Sequence, residues 1–170
     1  MNLDTLAPKI ARHDKQAFQL LYEQLHRLVF TVCLGVVKNK GVAEELMQDV
    51  FVTVWTKSVQ FRGKGYKTWI LTVARNKALN ALRQTGRELA TDFSENETAL
   101  GSYSIDTETG IVLRLALEKL NEQDRQIVLM RNGGLQAKEI AKTLGLPRGT
   151  VSWRYAEALK ILKAEIGGAL

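Results

Sequence analysis

Between residues 50 and 87 the chain carries eight cations and not one carboxylate: Lys57, Arg62, Lys64, Lys67, Arg75, Lys77, Arg83 and Arg87. Five of its twelve aromatic residues share that window: Phe51, Trp55, Phe61, Tyr66 and Trp69. Positive charge interleaved with flat rings suits a polyanion whose bases can be stacked on, namely nucleic acid with its strands parted. The plainer alternative is a basic, solvated helix over an ordinary aromatic core. Wound at 3.6 residues per turn, residues 67–83 place Ile70, Leu71, Ala74, Ala78, Ala81 and Leu82 on one face. Trp69, Thr72, Asn76, Asn80 and Arg83 line the other, with Arg75 and Lys77 on its flanks. A core has no use for a tryptophan on its wet side. There an indole can stack on a base, amides can pair with base edges, and a guanidinium can grip phosphate. The loop before this helix carries Phe61, Arg62, Lys64 and Tyr66 around Gly63 and Gly65. Such a loop could hold an unstacked base, although the glycines alone mark no more than a turn.

Other helices must position that face. Asp14 caps a long helix whose core stripe runs Phe18, Leu21, Tyr22, Leu25, Leu28, Val29, Val32, Cys33 and Val36. Its back is apolar too, at Leu20, Phe30 and Leu34, so the helix is either central or covers a partner. His13 and His26 read as structural or solvated. After a turn at 38–41, residues 42–57 form a second helix with Ala43, Leu46, Met47, Val50, Phe51, Val54 and Trp55 inward. Its outer side shows Glu44, Glu45, Gln48 and Asp49, a stripe that is a solvated face or a dock for a basic helix.

The 170 residues are 45% apolar and 25% charged, which predicts a globular chain with a real core. No membrane span, signal peptide or lipidation motif is expected. One cysteine and two histidines argue against a disulfide framework and a zinc site, and no other cofactor is implied. A reducing cytoplasm fits. Residues 1–90 carry a net +7, 91–110 a net −5 and 111–170 a net +4. The expected architecture is therefore all-α, with two small helical domains, 1–90 and 111–170, joined by a flexible acidic linker at 91–110.

In the second domain Asn121 and Asp124 resemble a capping box, and a helix follows to Arg131 before Gly133 and Gly134. A short helix at 137–144, Gly145, and a final helix at 148–163 have the offsets of a helix-turn-helix, with Ile140, Ala141 and Val151 seating one helix on the other. Those offsets are common in α-proteins. Arg148, Gly149 and Thr150 add a cation and backbone donors where phosphate would sit. Ser152, Trp153 and Arg154 complete a face fit for a major groove, though one poor in cations.

Ala43 to Phe51, then Trp55, Phe61, Trp69, Ala74, Arg75, Asn76 and Arg83, resemble the second conserved region of bacterial sigma factors of the extracytoplasmic-function (ECF) group. Leu120, Glu139, Ile140, Ala141, Leu144, Gly145 and Gly149 to Val151 resemble the fourth. Order and spacing agree across nearly the whole chain outside the linker. The resemblance implies that Glu44, Glu45, Gln48, Asp49 and Phe51 dock on the clamp helices of core RNA polymerase. It implies that residues 61–83 open the minus-ten element and capture a flipped base, and that the final helix reads the minus-thirty-five duplex. It also implies an acidic linker threaded through the RNA path and an anti-sigma partner. Glu157 and Leu159 depart from the basic residues common in the family.

Twenty extended linker residues reach about 70 Å, and two turns of B-DNA span roughly the same distance. One chain could hold both promoter elements, each weakly, and gain affinity from the tether. The reading is a promoter-specificity subunit in the cytoplasm, on the nucleoid when bound to polymerase, and not an enzyme by itself. One alternative is a stand-alone helix-turn-helix regulator that binds duplex DNA without polymerase and has no use for an exposed Trp69. A nucleic-acid-modifying enzyme is the other, but no helix pairs carboxylates with His or Cys at ligand spacing.

Overall fold

A computed structural model of the chain describes residues 1–85, 117–132 and 134–169. The described residues form seven α-helices and two single 3-10 turns, with no strand among them. The α-helices are α1 (Ala7–Ala11), α2 (Lys15–Val37), α3 (Lys40–Lys57), α4 (Tyr66–Thr85), α5 (Glu122–Asn132), α6 (Ala137–Leu144) and α7 (Arg148–Ala169). The linker expected at 91–110 lies outside the described residues.

Helix α2 is the axis. The Asp14 carboxylate accepts from the Ala17 N–H at 3.1 Å and starts it, while Lys38 in the left-handed region (φ 56°) ends it. Asn39 then caps α3 through the Val42 N–H, so α3 begins two residues before the expected Val42. Twelve α2 residues are buried, Phe30 and Leu34 among them. Helices α3 and α4 pack on one side of it and α5 on another. The approach of α5 is close at Gly35, where a Cβ would stand 3.5 Å from Gln126 and 3.7 Å from Leu129. Much of the apolar back of α2 is thus covered by the chain itself, and Leu20 remains 41% exposed. Helix α2 is long and apolar enough to cross a membrane by length and composition, but 61% of its apolar window is buried within the fold, as in a core helix.

One core runs through both halves. Ile127, Met130, Leu135, Ile140, Ala141, Leu144 and Val151 belong to the same cluster as Leu21, Val29, Val50, Ile70 and Ala74. A smaller cluster gathers Leu117, Leu120, Val128, Ala158 and Leu162. The capping box at the start of α5 is formed: Asn121 Oδ1 accepts from the Asp124 N–H at 2.8 Å, and its amide donates to the Asp124 carboxylate. Behind it Arg125 is buried and donates to the Leu117 and Leu120 carbonyls, closing the turn that leads into α5. Burial lowers the guanidinium's pKa, and Glu122 and Glu118 oppose that shift. Helix α6 spans the expected residues, and Gly145 at φ 68° supplies the left-handed turn that an L side chain resists. Helix α7 continues to Ala169, six residues beyond the expected end at 163.

Candidate nucleic-acid interface

The start of α4 is held from a distance. Both Asp4 contacts are to its first turn: the carboxylate accepts from the Gly65 N–H at 3.1 Å and the Tyr66 N–H at 2.7 Å. Two donors that the helix itself cannot satisfy thereby gain a partner some sixty positions earlier in sequence. Sequence reasoning missed Asp4, because a cap remote in sequence leaves no local signature. Gly63 (φ 96°) and Gly65 (φ 90°) shape the loop at angles that other residues rarely adopt.

Phe61, Tyr66 and Trp69 form a ring cluster. Tyr66 and Trp69 are near parallel (9°) with centroids 5.7 Å apart, and Phe61 lies 5.0 Å from Tyr66 and 5.7 Å from Trp69. Tyr66 does not belong to the nucleic-acid face on which the sequence reading put it. It is fully buried, and its hydroxyl meets Ser58 Oγ at 2.6 Å. Residue 66 opens the helix on the core side, so its ring is the foundation and Trp69 and Phe61, both half-buried, are the upper layer. Burial raises the phenol's pKa, with the Ser58 hydrogen bond acting against it.

Along α4, Asn76, Asn80 and Arg83 are exposed, and both amides are without hydrogen-bond partners among the described residues. Thr72 is half-buried and donates its hydroxyl to the Thr68 carbonyl at 2.8 Å. Arg75 is half-buried, with a buried Nε lacking a partner. Arg62 curls back on the Val59 and Phe61 carbonyls, whereas Lys64 stands exposed. Lys77 donates to Asp49 at 2.8 Å, tying α4 to α3. Lys67 faces Glu139 of α6 at 3.9 Å, too far for a hydrogen bond.

On α3, Glu44, Glu45, Gln48 and Asp49 are exposed, as the helical spacing predicts. Phe51 is not on that stripe. It is 4% exposed and forms T-shaped contacts with Phe18 and Tyr22. Its edge lines a groove of about 460 Å³ between α2 and α3, together with Lys15, Phe18, Tyr22, Gln48, Val52 and Trp55. His13 packs its ring on Trp55 at 4.8 Å and His26 stacks on Tyr22 at 4.9 Å, so both histidines are structural.

Helix α7 buries Val151, Ala158 and Leu162 and turns Arg148, Ser152 and Trp153 outward. Thr150 and Arg154 are half-buried, and Arg154 donates to the Asp124 carboxylate at 3.2 Å. Lys160 donates to Glu157 at 3.0 Å. Among the described residues no group of three His, Cys, Asp or Glu side chains could hold a metal.

Comparison with known proteins covers both halves. A family model for sigma-70 region 2 matches residues 21–88, and one for sigma-70 region 4 matches residues 111–162. The chain is 27% identical to the ECF RNA polymerase sigma factor SigK of Mycobacterium tuberculosis, across 95% of this chain and 92% of that protein. It is 26% identical to SigK of Mycobacterium ulcerans over the same shares, 95% and 92%. Among solved structures it resembles CnrH in complex with the cytosolic domain of CnrY, with a TM-score of 0.68, 21% identity and 96% of each chain covered. It also resembles the sigma factor RpoE in complex with the anti-sigma factor NepR from Bartonella quintana, with a TM-score of 0.69, 22% identity, and 88% and 96% covered.

Proposed function

Because the chain belongs to the sigma-70 family, as a sigma factor of the ECF group that directs RNA polymerase to promoters, we propose which residues perform each part of that task. Glu44, Glu45, Gln48 and Asp49 dock on a basic helix of core polymerase, and the neighbouring groove at Phe51 takes an apolar side chain of the same partner. Phe61, Lys64, Trp69, Thr72, Arg75, Asn76, Asn80 and Arg83 engage the minus-ten element and its parted strand. Arg148, Thr150, Ser152 and Trp153 engage the minus-thirty-five duplex. Tyr66 and Arg62 act from behind, one as the base of the ring cluster and the other as a brace for its loop.

The observation that carries this reading is the half-buried Trp69, stacked on a buried tyrosine and followed along one face by two amides unpaired among the described residues and an exposed arginine. Stacking and phosphate contacts there offset the few kcal/mol needed to unstack a base. Sigma factors are initiation factors rather than enzymes, and no catalytic step is assigned to this chain. It works in the cytoplasm, on the nucleoid once bound to polymerase. The likeness to RpoE, a sigma factor solved in complex with the anti-sigma factor NepR, supports an anti-sigma factor for this chain too. A stand-alone regulator is disfavoured by matches to both regions.

Core polymerase supplies the test. Glu44 and Glu45 are exposed and make no ion pair among the described residues. Glu44→Lys with Glu45→Lys leaves the fold intact and weakens co-purification with core polymerase by about 100-fold, since like charges across an interface cost several kcal/mol. Undiminished co-purification removes the docking face. Run-off transcription from genomic fragments then identifies the promoters.

A further inference from the structure

Helix α7 reaches outward with an indole where a DNA-reading helix would ordinarily show charge. Trp153 is 63% exposed, and its Nε1–H has no hydrogen-bond partner among the described residues. At 100° per residue it lies opposite Val151, Ala158 and Leu162, which seat the helix on the core. Its neighbours on the wet face are Gly149, Ser152, Ala156, Glu157 and Lys160, the last two paired with each other. A Cβ on Gly149 would meet nothing within 4 Å, so internal packing does not demand glycine there. Its bare backbone leaves the side of the indole open to a close approach.

The charges of α7 are directed elsewhere. Arg154 is turned inward to Asp124, and Lys160 is paired with Glu157, which leaves Arg148 at the first turn and Lys163 ten residues beyond Trp153. No bidentate fork for guanine therefore stands beside Trp153. An indole offers a broad apolar body and a single N–H donor, and it accepts nothing. Of the four bases, thymine alone shows an apolar group, its 5-methyl, beside an acceptor, O4, in the major groove. Guanine offers acceptors without a methyl, and cytosine presents an amino donor for which the indole has no acceptor.

We propose that Trp153 is the specificity-determining residue of α7 and reads a thymine through its 5-methyl and O4. The inference rests on α7 being the duplex-reading helix, and the experiment separates the two. Holoenzyme assembled from the full chain and core polymerase selects its upstream element from randomised duplexes. Each thymine of the selected element is then replaced by deoxyuridine, which removes the methyl alone.

Wild-type holoenzyme loses about four-fold in affinity at one or two positions, the factor for one buried methyl-sized group. Trp153→Ala weakens binding to the thymine duplex and is indifferent to uracil at those positions. Trp153→Phe keeps the uracil sensitivity, and Arg148→Ala binds more weakly but keeps it as well. Selection of an element with no uracil effect, or a uracil effect that survives in Trp153→Ala, overturns the methyl contact and leaves the duplex reading in place. Enrichment of no upstream element removes the role of α7 and this inference with it. Trp153 is exposed, so Trp153→Ala is expected to fold, and unchanged circular dichroism and melting check that.

Discussion

Helices α4 and α7 have similar lengths, 20 and 22 residues, and both carry a tryptophan close to the N-terminus, yet they prepare their surfaces in opposite ways. The indole of α4 is half-buried, braced by Phe61 and by a tyrosine that is itself buried. That of α7 stands 63% exposed with no ring against it among the described residues. Around α4 the loop and helix bring in Lys64, Arg75 and Arg83 without a carboxylate partner among the described residues, whereas Arg154 and Lys160 of α7 are paired with acids. Opening a duplex needs a rigid platform and a strong field, because the displaced base must find a ready surface. Reading a closed duplex needs shape and edge chemistry more than charge.

The largest expected effect attacks the platform. Trp69→Ala reduces open-complex formation by about 10- to 100-fold, in line with stacking worth about 1–3 kcal/mol per base. Polymerase binding is retained. Permanganate reactivity of promoter thymines measures the loss, and unchanged reactivity would end the stacking role. The corresponding change on α7, Trp153→Ala, spares melting once the complex has formed, so the two indoles separate by the step at which each fails.

Next comes rigidity. Asp4→Ala removes the acceptor for two N–H groups at the start of α4 and lowers stability by about 1–2 kcal/mol, as loss of a helix cap does. Thermal melting reads the loss. Hydrogen exchange should localise it to the first turn of α4 and leave the start of α7 protected as before. A uniform rise in exchange across both helices would mean that Asp4 supports the whole fold and does not single out α4.

Salt dependence sharpens the contrast in charge. Each phosphate contact contributes about one to the slope of log affinity against log salt. Lys64→Ala makes that slope shallower by about one on a forked minus-ten template. On the upstream duplex Glu157→Gln frees Lys160 and makes it steeper by about one, while Arg154→Ala, already committed to Asp124, leaves it unchanged. Filter binding from low to moderate salt checks all three, and a shallower slope for Arg154→Ala would show that the pairing yields to DNA.

Local patterns were legible. The periodicity of 67–83 found the buried face of α4, although Trp69, expected on its wet side, is half-buried against the core; Asp14 and Asn121 announced their caps, and Gly145 marked the turn between α6 and α7. The acidic stripe of α3 emerged exposed because spacing on one helix suffices to place it. Tertiary relations were not legible. Tyr66 sits at a helix start, where a shift of one residue changes the face it occupies, and only its packing on Ser58 decides the matter. Phe30 and Leu34 left open whether α2 is central or covers a partner, because α5, which approaches it at Gly35, lies about ninety positions later in the chain. The pairing of Arg154 with Asp124 has the same origin, since a cation assigned to a DNA-facing surface can be engaged by a residue thirty positions away.

The smallest expected effect tests whether the foundation of the α4 platform is a buried, neutral phenol. Tyr66→Phe keeps the ring under Trp69 and removes the hydroxyl, while Ser58 retains its bond to the Val54 carbonyl. At neutral pH the loss is about 0.5–1.5 kcal/mol, one hydrogen bond. Burial raises the folded-state pKa of Tyr66 above its ordinary 10.0. The unfolded chain therefore releases this proton first as pH rises, so the contribution of the phenol to stability is complete below pH 10 and declines as pH climbs toward the folded value. The Phe variant has no such proton. The stability curves of the two proteins should converge above pH 10, with the shift in Cys33, raised by burial to about 12, common to both and cancelling in the difference. Urea melts from pH 7 to 11 measure that difference directly. A gap that stays constant across the range would mean that the phenol is free to ionise where it sits, and that the base of the platform is wetter than its burial implies.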